Sequence, residues 1–386
     1  MKLRTIDQIK NLKGKRVLLR LELNIPFADG KVDKEDSRRL EKSLPTIKYL
    51  VSKKAKVIIV AHLGRPDGKV VPSLSMLSVS TYLSKLIKKN IEFWANDFRD
   101  YIDDSLAMKE SSIAMIENIR FEPGEKKDSS KLAKDLSKLA DIYVDDAFGN
   151  IHRQDASMHA ICDFLPSYAG LLVADEVKQL SSTYKKTNGL VYIFGGVKVE
   201  TKLKLVEKVM HKAEAILTGG PLASTLLKAA GYNVGQSLVD DKYIKLGKKL
   251  LGKKVLIPVD VHTASSLQAK KYKVLTVDNI SSNSRILDIG PQTLMEYKRI
   301  LKKSKLVVWN GPLGYFENRQ FVYGSREIMK YLASLKIDVI LGGGETAELA
   351  EELGLDKKFK FISTGGGAML TFLGGAKMPS LERLKK

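Results

Sequence analysis

Val57-Ile58-Ile59-Val60-Ala61-His62-Leu63-Gly64-Arg65 is the stretch on which the fold turns. Four β-branched residues in a row leave no polar face. The strand they form is therefore buried on both sides, as in a parallel sheet covered by helices. A histidine, a glycine and an arginine follow at once. Open α/β sheets bind ligands beyond the carboxyl ends of their strands, so these nine residues predict both a fold and a place to look for a site.

The same pattern recurs outward in both directions. Val17-Leu18-Leu19 precedes it, with a helical stretch around 36–52 between them. Ile113-Ala114-Met115-Ile116 and Ile142-Tyr143-Val144 follow, and Lys131–Ala140 carries apolar residues three and four apart, as a crossover helix does. Leu165-Pro166-Ser167-Tyr168-Ala169-Gly170 breaks the rhythm, and a polar helix over 172–186 opens a second series. Its strands are Val191–Phe194, Ala215–Leu217, Val255–Pro258, Leu306–Trp309 and Val339–Leu341. The segment 260–290 is partly Ser/Asn-rich and reads as a hairpin or short antiparallel strands. The prediction is an α/β chain of two doubly wound, parallel-sheet (Rossmann-like) domains divided near residue 170–175.

Bulk properties narrow the function classes. The chain has 386 residues, too many for one small core. It has 65 Lys and Arg against 44 Asp and Glu, a net charge of +21 that attracts anions. The lysines fall in scattered pairs such as Lys88-Lys89 and Lys248-Lys249, without a basic block or an aromatic RNP-like motif. That pattern disfavours nucleic acid as the main partner. No run of 18 apolar residues exists, so no membrane span is predicted. Met1–Lys10 lacks the apolar stretch of a secretory signal, and Cys162 is the only cysteine. A cytoplasmic protein is the expectation.

Polar clusters follow the strands. In the first domain these are Arg20 and Asn24, then His62, Gly64 and Arg65, then Asn118 and Arg120, then Asp145, Asp146, His152 and Arg153. Arg38, His62, Arg65, Arg120 and Arg153 can share one cleft, and guanidinium forks suit carboxylate and phosphate. Surface salt bridges are the plainer alternative for these arginines, and a strand-end cap for His62. Asp145-Asp146 could be a metal pair, although fixing neighbouring turns is the preferred reading.

The second domain offers glycines and lysines instead. Gly195, Gly196 and Lys198 follow its first strand, with Lys202 one helical turn on. Thr218-Gly219-Gly220-Pro221, Asn310-Gly311-Pro312 with Glu317, and Gly342-Gly343-Gly344-Glu345-Thr346 follow later strands, and Ser363-Thr364-Gly365-Gly366-Gly367-Ala368 comes last. There is no GxxxxGK[ST] loop. Bare turns at helix starts expose backbone N–H groups to an anion, and the set suits a nucleotide.

Taken together, these strings resemble the phosphoglycerate kinase family over essentially the whole chain, archaeal members most of all. The matching motifs are Leu19–Pro26, His62–Pro66, Glu117–Phe121, Asp145–Gly149, Gly195–Val199, Trp309–Pro312, Gly343–Ala347 and Ser363–Ala368. The resemblance implies reversible transfer of the acyl phosphate of 1,3-bisphosphoglycerate to ADP, giving 3-phosphoglycerate and ATP, with Mg2+ on the nucleotide. It implies substrate contacts from Glu22, Asn24, Arg38, His62, Arg65, Arg120 and Arg153. Lys198 would reach the moving phosphoryl group, helped by Arg38 and the turn at Gly366 and Gly367. Gly195, Lys202, Gly219, Gly220, Asn310, Pro312, Glu317, Gly343, Gly344, Glu345 and Thr346 would line the nucleotide site, with Glu345 linked to the metal. It also implies a phosphoglycerate domain at 1–170, a nucleotide domain at 171–364, a tail at 365–386 returning to the first domain, and closure about a hinge. A monomer is expected, with a homodimer the alternative.

The chain departs from the family pattern in three places. Glu22 and Glu345 stand where aspartate is usual, and Val197 stands where alanine is usual. A non-catalytic binder of phosphometabolites is the competing class, against which Lys198, Lys202 and the glycine turns weigh.

Overall fold

Every strand predicted from a β-branched run forms, and each lies in a parallel sheet. The structure, a computed structural model, describes residues 1–25, 34–185, 188–252 and 254–386, the side chains of 34–39 and 185 excepted. It divides into one unit of Met1–Lys178 with Lys377–Lys386 and a second of Gln179–Ala376.

The first unit holds β1 (Arg16–Arg20), β2 (Lys56–Val60), β3 (Glu92–Trp94), β4 (Ile113–Ile116), β5 (Ile142–Asp145) and β6 (Ser167–Ala169), ordered β3-β4-β2-β1-β5-β6. Leu19 is in register with Ile59 on one side and Val144 on the other. Val57 and Ile59 enter one apolar cluster, while Ile58 and Val60 enter another. This alternation places a core on each face of the sheet, and the sequence accordingly shows an unbroken apolar run. The chain end closes the unit, where Arg4 N–H donates to Leu384 O at 2.9 Å.

In the second unit β7 (Leu190–Phe194), β8 (Ala215–Thr218) and β9 (Val255–Leu256) lead into β10 (Asp260–Ala264), β11 (Lys273–Thr276) and β12 (Arg285–Ile289). The chain then returns through β13 (Leu306–Asn310), β14 (Asp338–Gly342) and β15 (Phe361–Ile362). The main parallel sheet runs β15-β14-β13-β7-β8-β9, and β11-β10-β12 make a separate antiparallel sheet where 260–290 predicts one.

Two expected boundaries move. The division falls after Lys178, eight residues beyond 170, because the start of helix Leu171–Lys185 is tied to the first unit. There Asp146 Oδ1 accepts the N–H groups of Leu172 and Val173 at 2.9 and 3.1 Å. The returning tail begins at Lys377, not 365. Helix Gly366–Leu373 stays with the second unit, where the Tyr184 hydroxyl donates to Phe372 O. No helix among the described residues is long and apolar enough to cross a membrane.

Candidate functional site

In the first unit the strand ends gather a buried basic cluster. Arg20, the last residue of β1, is wholly buried and donates from Nη2 to His62 Nδ1 at 3.0 Å. Arg120 lies just after β4, held by backbone N–H donation to Asn118 Oδ1 at 3.1 Å and by Nη1 donation to Gly64 O at 2.6 Å. Its Nε is buried without a hydrogen-bond partner. Burial, followed by repulsion from Arg153, lowers the Arg120 pKa to about 10. His62 is held well below its ordinary value by burial first, then by Arg20, Arg120, Arg153 and Lys126. A buried site where neighbouring cations disfavour the charged forms of Arg120 and His62 is primed for a polyanion.

The structure thus brings His62, Arg120 and Arg153 together. Asn24 stands nearby, its Oδ1 accepting Gly64 N–H at 2.8 Å, and it lines a cavity of about 370 Å³ with Gly64 and three serines. Arg65 is exposed. Arg38 falls within helix Lys34–Ser52, but its side chain lies outside the described residues. Glu22 packs against Gly149, where an added Cβ would sit 2.0 Å from Oε2. Asp145 and Asp146 serve turns, since Asp145 Oδ1 accepts Ala147 N–H at 3.0 Å and Asp146 caps the helix at Leu171. Among the described residues no group of three or more His, Cys, Asp or Glu could hold a metal ion.

In the second unit, backbone turns interlock at the strand ends. Gly195 N–H donates to Asn310 O at 3.1 Å and Gly196 N–H to Pro312 O at 2.8 Å. Gly219 N–H donates to Phe194 O at 3.0 Å, and Gly220 N–H to Leu313 O at 2.7 Å. A Cβ on Gly195 would lie 1.8 Å from Pro312 O, so the close approach excludes any side chain there. Gly311 and Gly343 have φ of +88° and +94°, the left-handed region that glycine alone enters cheaply. Thr346, 1% exposed, accepts Gly311 N–H at 3.0 Å and braces that turn. Helices Gly220–Ala229, Gly344–Glu352 and Gly366–Leu373 all begin at these turns. The last two starts approach closely, as a Cβ on Gly366 would be 3.6 Å from Gly343 Cα.

Two side chains give this surface its polarity. Lys202 is 5% exposed and donates to Gly195 O. Burial lowers its pKa to about 8, opposed by Glu345 and reinforced by Lys198. Asn310 is 5% exposed, and its Nδ2 is buried with no partner. Lys198 is exposed just before helix Val199–Val209. A cavity of about 250 Å³ opens beside them, lined by Gly196, Val197, Gly220, Pro312, Glu317 and Glu345 among others. Val197 is 61% exposed, so its extra methyls meet solvent and not a packed wall. The orphaned amide, the desolvated lysine and the helix starts fit nucleotide phosphates, and Glu345 is a carboxylate available to a phosphate-bound Mg2+.

Sequence reading missed the support beneath His62. Glu125, Asp155 and Ser157 are buried, and each touches a member of the basic cluster or its neighbours. The available signal was Arg20 itself, a charge at the end of a strand buried on both faces.

Two parallel-sheet units, one collecting guanidinium groups and the other glycine turns with lysines, define a phosphotransferase of the two-domain kind. The phosphoglycerate kinase family model matches residues 6–376, and the chain belongs to that family. A phosphoglycerate kinase of Pseudothermotoga lettingae is 38% identical, the match covering 100% of this chain and 99% of that one. One from Thermosipho africanus is also 38% identical, over 97% and 96%. The solved phosphoglycerate kinase of Coxiella burnetii superposes with a TM-score of 0.88 at 34% identity, over 99% and 98%. That of Pyrococcus horikoshii gives 0.85 at 31%, with the same coverage. The matched relatives are mostly bacterial, so the family is established without the archaeal affinity expected from the motifs. The protein catalyses the phosphoglycerate kinase reaction between 1,3-bisphosphoglycerate with ADP and 3-phosphoglycerate with ATP, and the family uses Mg2+.

Proposed function

We propose that the first unit holds phosphoglycerate through Asn24, Arg38, His62, Arg65, Arg120 and Arg153, with Glu22 shaping the neighbouring turn. The second unit holds the nucleotide on the turns at Gly195, Gly219, Gly220, Gly343 and Gly344, with Lys202, Asn310, Pro312 and Thr346 around its phosphates and Glu317 toward the ribose. One observation supports the division: each unit collects anion-binding groups of a different chemistry at the carboxyl ends of its own strands. Archaeal affinity is a reading that the motif strings alone support. A cytoplasmic location is the reading supported by the lone Cys162 and the glycolytic substrates.

The chemistry needs no general base. An oxygen of the ADP β-phosphate attacks the acyl phosphorus, the bond from phosphorus to the carboxyl oxygen breaks, and 3-phosphoglycerate leaves as a carboxylate. Protons need not move. Catalysis is then alignment and neutralisation of charge on three equatorial oxygens. Lys198, Arg38 and the N–H groups at Gly366 and Gly367 are the candidates for that charge. Mg2+ on the nucleotide, approached by Glu345, would offset phosphate charge. Hinge closure would align the two ligands and exclude water.

Lys198→Ala tests the assignment in a coupled assay with 3-phosphoglycerate, Mg2+ and ATP. Loss of a group that acts in the transition state costs roughly 3–4 kcal/mol, a drop in kcat of about a hundredfold to a thousandfold. A raised nucleotide KM with kcat unchanged would make Lys198 a binding residue only.

A further inference from the structure

Four buried side chains form a continuous chain beneath the first unit's site, and it ends on His62. Glu125, Ser157 and Arg20 are each 0% exposed, and His62 is 1% exposed. Arg20 Nε donates to Ser157 Oγ at 3.0 Å. The Ser157 hydroxyl donates to Glu125 Oε1 at 2.7 Å, and the Ser157 N–H to Oε2 at 2.9 Å. A hydroxyl carries one proton, so Ser157 must receive from Arg20 and give to Glu125. Arg20 also donates to Leu21 O, leaving the guanidinium held on three sides.

We propose that Ser157 and Glu125 are positioning residues of the phosphoglycerate site, fixing Arg20 so that His62 is held as the tautomer protonated at Nε2. An arginine has only donors, so Nδ1 of His62 at 3.0 Å has to accept. The ring's proton then sits on Nε2. The proposal rests on the assignment of His62 to the substrate site. There His62 acts as a directed dipolar donor beside the charged Arg120 and Arg153, and adds no further cation to the cluster. The depressed basicity of His62 agrees with this. Anchoring the fold alone does not explain the arrangement, since apolar groups of equal volume do that at less desolvation cost.

The test is the 15N spectrum of the histidine side chains in the full-length protein at pH 7, with His62 assigned by its loss in His62→Gln. The unmodified protein should show a bare Nδ1 and a protonated Nε2. A proton on Nδ1, or on both nitrogens, overturns the proposal. Ser157→Ala should mix the tautomers. It should also raise the KM for 3-phosphoglycerate by roughly tenfold to a hundredfold, the loss of one charge-assisted bond, with the ADP KM unchanged. An unchanged tautomer and an unchanged 3-phosphoglycerate KM in that variant also overturn it. Added 3-phosphoglycerate should shift the Nε2 signal. If it does not, while Nδ1 remains bare, the assignment of His62 to the site fails and the brace stands.

Discussion

Lys202 offers a prediction whose size follows from its surroundings. The ammonium is 5% exposed, and burial lowers its pKa from 10.5 to about 8. That difference is worth about 3 kcal/mol against the charged form. Its folded-state pKa lies below the unfolded one, so the unfolded chain binds more protons between pH 8 and 10.5. The penalty is complete below pH 8, and stability rises with pH across that window. Lys202→Met removes the penalty but also the bond to Gly195 O, worth about 1 kcal/mol. The ligand-free variant should therefore be more stable at pH 7 by about 2 kcal/mol. Nucleotide phosphates supply the missing counter-charge and should lift the pKa again. At pH 9 MgADP binding should take up close to one proton, read by calorimetry in buffers of different ionisation heat. Lys202→Met should abolish the uptake and weaken binding. No uptake in the parent, or uptake surviving in the variant, would show that Lys202 is not the group that nucleotide phosphates protonate.

Two further predictions concern carboxylates. Glu345 is exposed in the first turn of helix Gly344–Glu352; Glu345→Asp withdraws the charge by one methylene and should lower turnover, by up to about a hundredfold, and Glu345→Gln should lower it further and weaken apparent Mg2+ affinity. An aspartate variant equal to the parent in turnover would remove the case for a geometry adapted to glutamate. Asp146 is wholly buried, and burial raises its pKa from 3.8 to about 7; the stability it contributes is complete below pH 4 and lost as pH rises toward 7, so Asp146→Asn should flatten the fall in Tm across that range. An unchanged slope would assign it to other buried acids, such as Asp288.

Central strands were legible because both of their faces are buried and the sequence there is apolar without interruption. β3, β6 and β15 were not, since short edge strands such as Glu92–Trp94 and Phe361–Ile362 have no aliphatic run like the Val255-Leu256-Ile257 that marks the equally short edge strand β9. His62, Arg120 and Arg153 were legible as polar residues trailing separate strands. The support from Glu125 and Ser157 was not, because Glu125 opens a single 3-10 turn, Ser157 lies in another turn 32 residues on, and the two meet only in three dimensions. The tail boundary was misplaced because helix Gly366–Leu373 is apolar on its own account and packs within the second unit.

The central claim is that phosphoglycerate belongs to the first unit and nucleotide to the second. Calorimetric titration of the full chain decides it, with 3-phosphoglycerate and MgADP each added to the parent, Arg153→Ala and Lys202→Met. Arg153→Ala should weaken 3-phosphoglycerate by roughly tenfold to a hundredfold and leave MgADP unchanged. Lys202→Met should do the reverse. Loss of MgADP binding in Arg153→Ala with 3-phosphoglycerate binding intact would contradict it.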